Sequence, residues 1–151
     1  MRAIIPGSYV LLLRLEEPCE IAVGRRGRHR YSRGDYLYCG SALGGLAARL
    51  ARHARREKRL HWHIDYLLAQ AALHGAWVMP GTTRLECLAQ RALCRLGGLP
   101  LRGFGSSDCR CPGHLLFFAE APSLREFNRA IVQACPAAPA AQVWRPATML
   151  Q

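Results

Sequence analysis

The apolar positions of this chain form short runs, which are separated by turns that contain glycine or proline. The run over residues 9–15 is rich in strand-forming residues and predicts a buried first strand. Residues 20–23 predict a short strand that pairs back to the first one, and residues 28–31 predict another after a Gly-Arg-Arg-Gly turn. Alternating residues over 36–39 predict a strand that ends in a tight turn at Gly40.

Apolar residues that recur at intervals of three and four predict four amphipathic helices further along the chain. The predicted helices cover residues 43–57, 60–72, 83–96 and 123–134. Ser41 is suited to cap the first helix, and Glu86 follows Thr83 by three residues, as in a capping box at the start of the third. The remaining predicted segments are strands over residues 76–79 and 115–119 and a glycine-rich loop over 101–113.

This order of elements predicts an α/β domain of the α+β type, in which helices flank a mixed and mainly antiparallel sheet. The 151 residues fit one domain, which we place at residues 1–134, and the Pro/Ala-rich residues 135–151 are predicted to form a draped or frayed tail. Half of the residues are apolar, which excludes a disordered chain. The apolar runs are far shorter than the roughly 18 residues of a membrane span, and the cysteines are odd in number and scattered. We therefore predict a cytoplasmic protein with no membrane partner.

Basic residues are concentrated in one part of the chain. Lys and Arg number 21 against 10 Asp and Glu, which gives a formal net charge of +11, and eleven of the basic residues lie within residues 25–59. Such an excess favours a polyanionic partner such as a nucleic acid or a membrane surface, and we predict a nucleic acid. A solvated helix face is the alternative for the basic residues of the first predicted helix. The residues predicted to contact phosphate are Arg25, Arg26, Arg28, Arg30, Arg33, Arg52, Arg56, Lys58 and Arg59.

Two tyrosines and two basic side chains form the most informative pattern. Tyr9 lies at the start of the first predicted strand, and Tyr38 lies near the end of a later one. Arg49 and His53 are four residues apart in a predicted helix, so they project from one helix face. If the two strands are neighbours in the sheet, both tyrosines can point toward that face.

In this order, several segments of the chain resemble the GIY-YIG endonuclease superfamily and, within it, the small stand-alone Uri-type endonucleases. The matching segments are GSY at 7–9, YCGS at 38–41, Arg49-x-x-x-His53, KRLHWHIDYL at 58–67, LEC at 85–87 and GFGSSDCRC at 103–111. The resemblance implies a GIY-YIG-like fold with an extra N-terminal hairpin, because 28 residues separate Tyr9 from Tyr38.

The resemblance also implies an activity, the hydrolysis of DNA phosphodiester bonds by a one-metal endonuclease that uses Mg²⁺ or Mn²⁺. Its implied catalytic residues are Tyr9, Tyr38, Arg49, His53 and Glu86, with Glu86 as the metal ligand. These roles are chemically reasonable, because an arginine fork and a divalent cation neutralise the charge of a phosphodiester transition state. A tyrosine with an ordinary pKa near 10 would act as a base only if its surroundings lower that pKa or a proton relay assists it.

Departures from the family pattern leave an alternative open. Ser8 and Cys39 replace isoleucines of the family tripeptides, at positions where we expect no chemical role. Many active members carry an asparagine after the glutamate helix, whereas the only asparagine here is Asn128. The alternative is a non-catalytic nucleic-acid-binding module of the same fold that acts in DNA repair or processing. The loop residues that could support either function are Ser106, Asp108, Arg110 and His114.

The alternative that the same residues have only a structural role also stays open. The tyrosines fit ordinary strand aromatics, and Glu86 fits a capping carboxylate. Cys109, Cys111 and His114 suggest a zinc-dependent structural or interaction protein as a third reading. Because C-x-C-x-x-H supplies three ligands at a spacing that is unusual for tetrahedral zinc, we predict no structural zinc. The cysteines read as small buried apolar residues are Cys39, Cys87, Cys94 and Cys135.

Overall fold

Side chains of the first strand point alternately into two apolar cores, and this alternation organises the fold. The computed structural model describes residues 4–104 and 109–147. Its strands are β1 (Gly7–Leu15), β2 (Cys19–Ala22), β3 (Arg28–Tyr31), β4 (Gly34–Ala42), β5 (Ala72–Pro80), β6 (Leu99–Pro100), β7 (Leu115–Phe118) and β8 (Gln142–Trp144). Its helices are α1 (Leu46–Ala54), α2 (His63–Leu68), α3 (Glu86–Arg95) and α4 (Leu124–Ala134), with a short 3-10 turn at Gly24–Arg26.

Six of the described strands form one antiparallel sheet in the order β6-β7-β4-β1-β5-β8. Strand β1 pairs with β4 along one edge and with β5 along the other. Tyr9, Leu11 and Leu13 face the core formed with α1, α2 and the β2–β3 hairpin. Val10, one position along, faces the core formed with α3 and α4. The sheet is therefore covered by helices on both faces.

The predicted fold class is confirmed within these ranges, since a mainly antiparallel sheet lies between flanking helices. Each of the predicted helices is present, although α2 is shorter than predicted because β5 already begins at Ala72. The longest described helix, α4, has 11 residues. No helix in residues 4–104 and 109–147 is long and apolar enough to cross a membrane.

The predicted pairing of the second strand with the first is wrong. Strand β2 pairs only with β3 in the described structure, and the two form a separate hairpin. The reason is that β4 and β5 already occupy both edges of β1. The hairpin instead buries Ile21 and Tyr31 in the core on the α1 face.

Two of the predicted helix caps are also wrong. Helix α1 begins after Gly45, and the Leu46 N–H donates to the Ile5 carbonyl, so Ser41 does not cap it. Helix α3 begins at Glu86 without a side-chain cap. The N–H of its N-cap residue, Leu85, instead donates to the Ser8 hydroxyl of β1 at 2.8 Å. A contact between residues distant in sequence thus replaces the local capping box.

Part of the Pro/Ala-rich C-terminal segment lies along the edge of the sheet. Strand β8 extends the sheet by pairing with β5. Asn128 of α4 holds the approach to this strand, because its side-chain amide bonds both the N–H and the carbonyl of Ala141, at 2.8 and 3.2 Å. Of the two predicted forms of the tail, residues 142–144 therefore adopt the draped one, along the edge of the sheet.

A buried ion pair joins α1 to α2. The Asp65 carboxylate is 0% exposed and accepts two hydrogen bonds of 2.9 Å from the Arg52 guanidinium. It also accepts from the N–H groups of His61 and Trp62, at 2.8 and 2.9 Å. Burial alone would raise the pKa of Asp65, but Arg52 and the two N–H groups outweigh burial and lower it to about 2.

We expect the Asp65 carboxylate to be the main cause of the loss of unfolding free energy at acid pH. A pKa that falls from 3.8 in the unfolded chain to about 2 in the folded one contributes stability that is present above pH 3.8 and is lost as the pH falls toward 2. The contribution is on the order of 2 kcal/mol. Asp65→Asn should remove this pH dependence and lower the unfolding free energy at pH 7 by about 3 kcal/mol in denaturant titrations.

The exposed carboxylate Glu57 offers a matched control, and Glu57→Gln should leave both quantities within about 0.5 kcal/mol of the wild type. An Asp65→Asn protein that loses stability between pH 5 and pH 2 as steeply as the wild type would contradict the role assigned to Asp65.

Candidate active site

A cleft of about 370 Å³ opens beside the paired ends of β1 and β4. Its walls come from these two strands, from α1, from the start of α3 and from the segment before β7. The sequence-predicted catalytic residues all line it, namely Tyr9, Tyr38, Arg49, His53 and Glu86. The fold therefore brings together side chains that lie as much as 77 positions apart in the sequence.

Tyr9 and His53 form a buried pair at the base of the cleft. The Tyr9 hydroxyl lies 2.8 Å from His53 Nε2, and each residue is 2% exposed. Burial, and after it the nearby Lys58 ammonium, lowers the pKa of His53 to about 3, so the imidazole is neutral at pH 7. Burial also raises the pKa of Tyr9 to about 12, against the opposing influence of Arg49. The pair is thus a neutral phenol beside a neutral imidazole.

The direction of this hydrogen bond follows from acidity. A phenol O–H is a better donor than the N–H of a neutral imidazole, so Tyr9 donates and His53 Nε2 accepts. The imidazole hydrogen then resides on Nδ1, which is buried and has no hydrogen-bond partner among the described residues. Leaving such a group unpaired costs about 1–3 kcal/mol, so packing alone does not account for a histidine here.

Gly40 permits the position of the Tyr9 ring. The two residues lie opposite each other in the β1–β4 pair. A Cβ atom at Gly40 would lie 2.6 Å from both Cζ and the hydroxyl of Tyr9. Tyr38, two positions earlier in β4, turns its ring edge toward the rings of His53 and Phe104, with centroids 6.5 and 6.3 Å away. Burial raises the pKa of Tyr38 as well, so this phenol is also protonated.

A chain of hydroxyl groups leads to Glu86. The Leu85 N–H donates to Ser8 Oγ, Ser8 Oγ lies 2.8 Å from Ser41 Oγ, and Ser41 donates to the Glu86 carboxylate. An ionised carboxylate only accepts, so the Ser41 proton is committed to Glu86 and Ser8 donates to Ser41. This one-way chain orients the carboxylate.

Arg49 of α1 supplies a positive charge to the cleft. Its guanidinium donates to the Ser41 carbonyl at 3.1 Å and lies 4.6 Å from the centre of the Trp62 ring. Arg52 lies 4.3 Å from the same ring, but its charge is paired with Asp65. No carboxylate in the described ranges forms a salt bridge with Arg49, whose charge is therefore available to a ligand.

The predicted phosphate-binding residues fall into two groups. Arg28 and Arg30 are exposed on β3, close to Arg25 in the 3-10 turn, with Arg28 3.8 Å from Glu20. Arg26 belongs to the same turn, and Arg33 is exposed just after β3. The second group surrounds the end of α1, where Arg56 and Arg59 are exposed.

Two members of the second group hold the fold together. Arg52 is bound to Asp65, and the Lys58 ammonium donates to the carbonyls of Arg52 and His53 at the end of α1. A basic groove remains between them, lined in part by Arg55, Arg59 and His61. Its cationic lining suits an anionic ligand.

The predicted supporting residues of the loop before β7 have different positions. Ser106 and Asp108 lie outside the described residues. Arg110 is exposed, whereas His114 lines the cleft. Asn128 does not line the cleft, since its amide is committed to Ala141.

Sequence reasoning missed several residues of the cleft. Ser8 was expected to have no chemical role, yet it is 0% exposed and links α3 to Ser41. A serine within an apolar strand was the available signal. Trp62 and Arg84 also line the cleft. Cys87, read as a buried apolar residue, is only half-buried and lies 3.7 Å from His114 Nε2.

Two kinds of metal ligand occur side by side at the start of α3. Glu86 offers a carboxylate to the cleft. The next residue, Cys87, belongs to a cluster with Cys109, Cys111 and His114. The carboxylate suits a hard cation such as Mg²⁺, whereas thiolates and imidazole suit a softer ion.

The buried Tyr9–His53 pair gives a direct spectroscopic prediction. The His53 ring should stay neutral from about pH 8 down to about pH 5, with its hydrogen on Nδ1, because the surroundings disfavour the imidazolium. Ring ¹⁵N chemical shifts measure both properties, and the signal that is absent from a His53→Gln variant identifies the residue. Uptake of a proton by this ring within that pH range would contradict the prediction.

Comparison with known proteins yields one match. A family model described as "Domain of unknown function DUF123" matches residues 8–137, a range that contains all the residues lining the cleft. No curated protein and no solved structure matches the chain. Because the family model spans most of the 151 residues, the chain belongs to the DUF123 family.

Proposed function

We propose that this protein is a metal-dependent endonuclease that hydrolyses DNA phosphodiester bonds at the cleft, in the manner of GIY-YIG enzymes. The observation that carries the proposal is the convergence of the Tyr9–His53 pair, Arg49 and Glu86 on one cavity. Each of these groups corresponds to a need of the reaction: a proton acceptor for water, a cation for phosphate and a carboxylate for a divalent ion.

The Tyr9–His53 pair can act as a proton relay. A phenol with a pKa of about 12 is protonated at pH 7, so Tyr9 accepts a proton from water only if it releases its own. His53 Nε2 is the acceptor within reach, at 2.8 Å. The attacking water would then transfer its proton to the Tyr9 oxygen while the Tyr9 proton moves to His53. The resulting imidazolium carries hydrogens on both nitrogens.

Arg49 can bind the non-bridging oxygens of the scissile phosphate. A guanidinium forms paired, charge-assisted hydrogen bonds with phosphate, which strengthen as negative charge builds up in the transition state. The Trp62 ring beside it favours the cation and limits its rotation. Arg84, exposed at the rim of the cleft, can hold the neighbouring part of the DNA backbone.

Glu86 fits a magnesium or manganese site. Mg²⁺ commonly binds one or two carboxylates together with substrate phosphate and several waters, and Glu86 is the carboxylate that lines the cleft in the described structure. Ser41 occupies the oxygen Oε2 of this carboxylate, which leaves Oε1 for a cation. When bound, the ion would supply positive charge to the phosphate oxygens and the leaving group.

The basic hairpin and the end of α1 can bind the rest of the DNA. The hairpin exposes Arg28 and Arg30, and the groove near α1 is lined by Arg55 and Arg59. Contacts of this kind are insensitive to sequence and weaken with salt, with log K falling by about 0.9 per phosphate on a duplex.

Cleavage of labelled DNA tests the proposal. The wild type should cut at least one of single-stranded, duplex, flap and four-way-junction substrates with Mg²⁺ or Mn²⁺. Tyr9→Phe and Glu86→Gln should each slow cleavage by at least about 10²-fold, because they remove the relay and the metal ligand. Equilibrium binding of the same DNAs should change by less than about threefold, since phosphate contacts elsewhere provide most of the affinity.

Tyr66→Phe and Glu120→Gln are the matched controls, because neither residue lines the cleft. Both variants should cut at the wild-type rate, and circular dichroism should confirm that all four proteins are folded. Cleavage by Glu86→Gln at the wild-type rate would exclude the assigned metal ligand.

A second candidate is a nucleic-acid-binding module without catalysis, acting in DNA repair or processing. The observation that favours it is the commitment of Asn128 to Ala141, which leaves the described part of the cleft without an asparagine. Tight, salt-sensitive binding by a wild type that does not cut with either metal would select this candidate.

A further inference from the structure

Three cysteines and a histidine meet beside the cleft. The ligand atoms of Cys87, Cys109, Cys111 and His114 all lie within 4.8 Å of one another. Cys87 comes from the first turn of α3, the other two cysteines from the segment before β7, and His114 directly precedes that strand. We propose that these four residues hold a structural zinc ion.

The distances within the cluster match a tetrahedral zinc site. Zn–S bonds of about 2.3 Å and Zn–N bonds of about 2.0–2.1 Å place sulfur and nitrogen about 3.6 Å apart across a tetrahedron. His114 Nε2 lies 3.3 Å from Cys109 Sγ and 3.7 Å from Cys87 Sγ, on either side of that value. All four ligand atoms lie within 4.8 Å of one another, a spread that rotation of the cysteine side chains about χ1 would narrow on binding the ion.

The chemistry of the donors selects zinc over the ion proposed for Glu86. Thiolate and imidazole ligands prefer Zn²⁺, whereas Mg²⁺ prefers oxygen ligands in an octahedron. Four protein ligands complete a tetrahedral shell and leave no open position for water, which is the pattern of structural zinc sites.

The sequence spacing of Cys109, Cys111 and His114 supplies only three ligands for tetrahedral zinc, and Cys87 is the fourth. Cys109, Cys111 and His114 are neighbours in sequence, but Cys87 lies 22 positions before Cys109 and reaches the cluster through the fold. Backbone hydrogen bonds already hold this part of the chain, because the His114 N–H donates to the Phe104 carbonyl and the Cys39 N–H donates to the His114 carbonyl.

The ion would connect α3 to the segment that leads into β7. Cys87 follows Glu86, and His114 pairs through its carbonyl with Cys39, the residue after Tyr38. The zinc site would thus fix the start of α3 relative to β4 at the cleft. The zinc proposal does not depend on nuclease activity, and it can be tested without a cleavage assay.

Metal analysis of the full-length protein tests the proposal. After purification without chelators and dialysis against metal-free buffer, the wild type should retain about one zinc per chain. Cys109→Ser and Cys111→Ser should retain less than about a tenth as much. Cys94→Ser and Cys135→Ser, which change cysteines outside the cluster, are the matched controls and should keep the wild-type content.

A second measurement applies even if the cluster variants fail to fold. Cobalt substituted into the wild type should give the intense visible bands and the thiolate charge-transfer absorption of a tetrahedral site. Removal of the metal with a strong chelator should lower the melting temperature, and Zn²⁺ but not Mg²⁺ should restore it.

Three results would overturn the proposal. These are a wild type that contains no zinc and gives no tetrahedral cobalt spectrum, a disulfide between two of the three clustered cysteines, and the visible absorption of an iron–sulfur centre. None of them bears on nuclease activity, so failure of the zinc site and failure of the proposed function are distinguishable.

Discussion

The pairing of β1 with β4 determines the position of every group in the cleft. Nine residues of each strand are in register, from Gly7 opposite Ala42 to Leu15 opposite Gly34. A shift of one residue would exchange the two faces of β1 and would remove Gly40 from beneath the Tyr9 ring. The apolar residues that alternate along β1 oppose such a shift, because each face contributes to a separate core. The energy that stabilises the fold therefore also maintains the geometry of the site.

This register assembles the cleft from both faces of the sheet. Tyr9 faces α1 and meets His53, whereas its neighbour Ser8 bonds the start of α3 and, through Ser41, orients Glu86. The proposed proton acceptor and the proposed metal ligand thus come from opposite helical layers and meet where the strands end. The proposed zinc site, with three thiolates and a neutral imidazole, would carry a net negative charge, so it would not compete for phosphate with a cation held by Glu86. The hard and soft sites can then operate side by side at the start of one helix.

The sequence predicts what depends on local periodicity. The strand at residues 9–15 and the helices were recognisable because their apolar spacing is regular over several residues. The missed features depend on partners distant in sequence. The Leu85 N–H bonds Ser8, 77 positions away, and this contact replaces the expected Thr83 cap. Likewise, Cys87 joins a cluster whose other members are more than twenty positions further along, and β2 loses its predicted partner because β4 and β5 pair with β1.

The buried histidine links the electrostatics of the cleft to its proposed function. Burial and the neighbouring Lys58, Arg49 and Arg52 all disfavour a proton on His53, so the imidazole is a weak base in the cleft as it stands. The Asp65 carboxylate opposes these three cations, and a bound phosphate would oppose them further. In the proposed nuclease, DNA therefore raises the basicity of the very group that must accept the Tyr9 proton. In that proposal Arg49, which would bind the phosphate, also disfavours protonation of His53 while no phosphate is bound, so the relay would be most effective when substrate occupies the cleft.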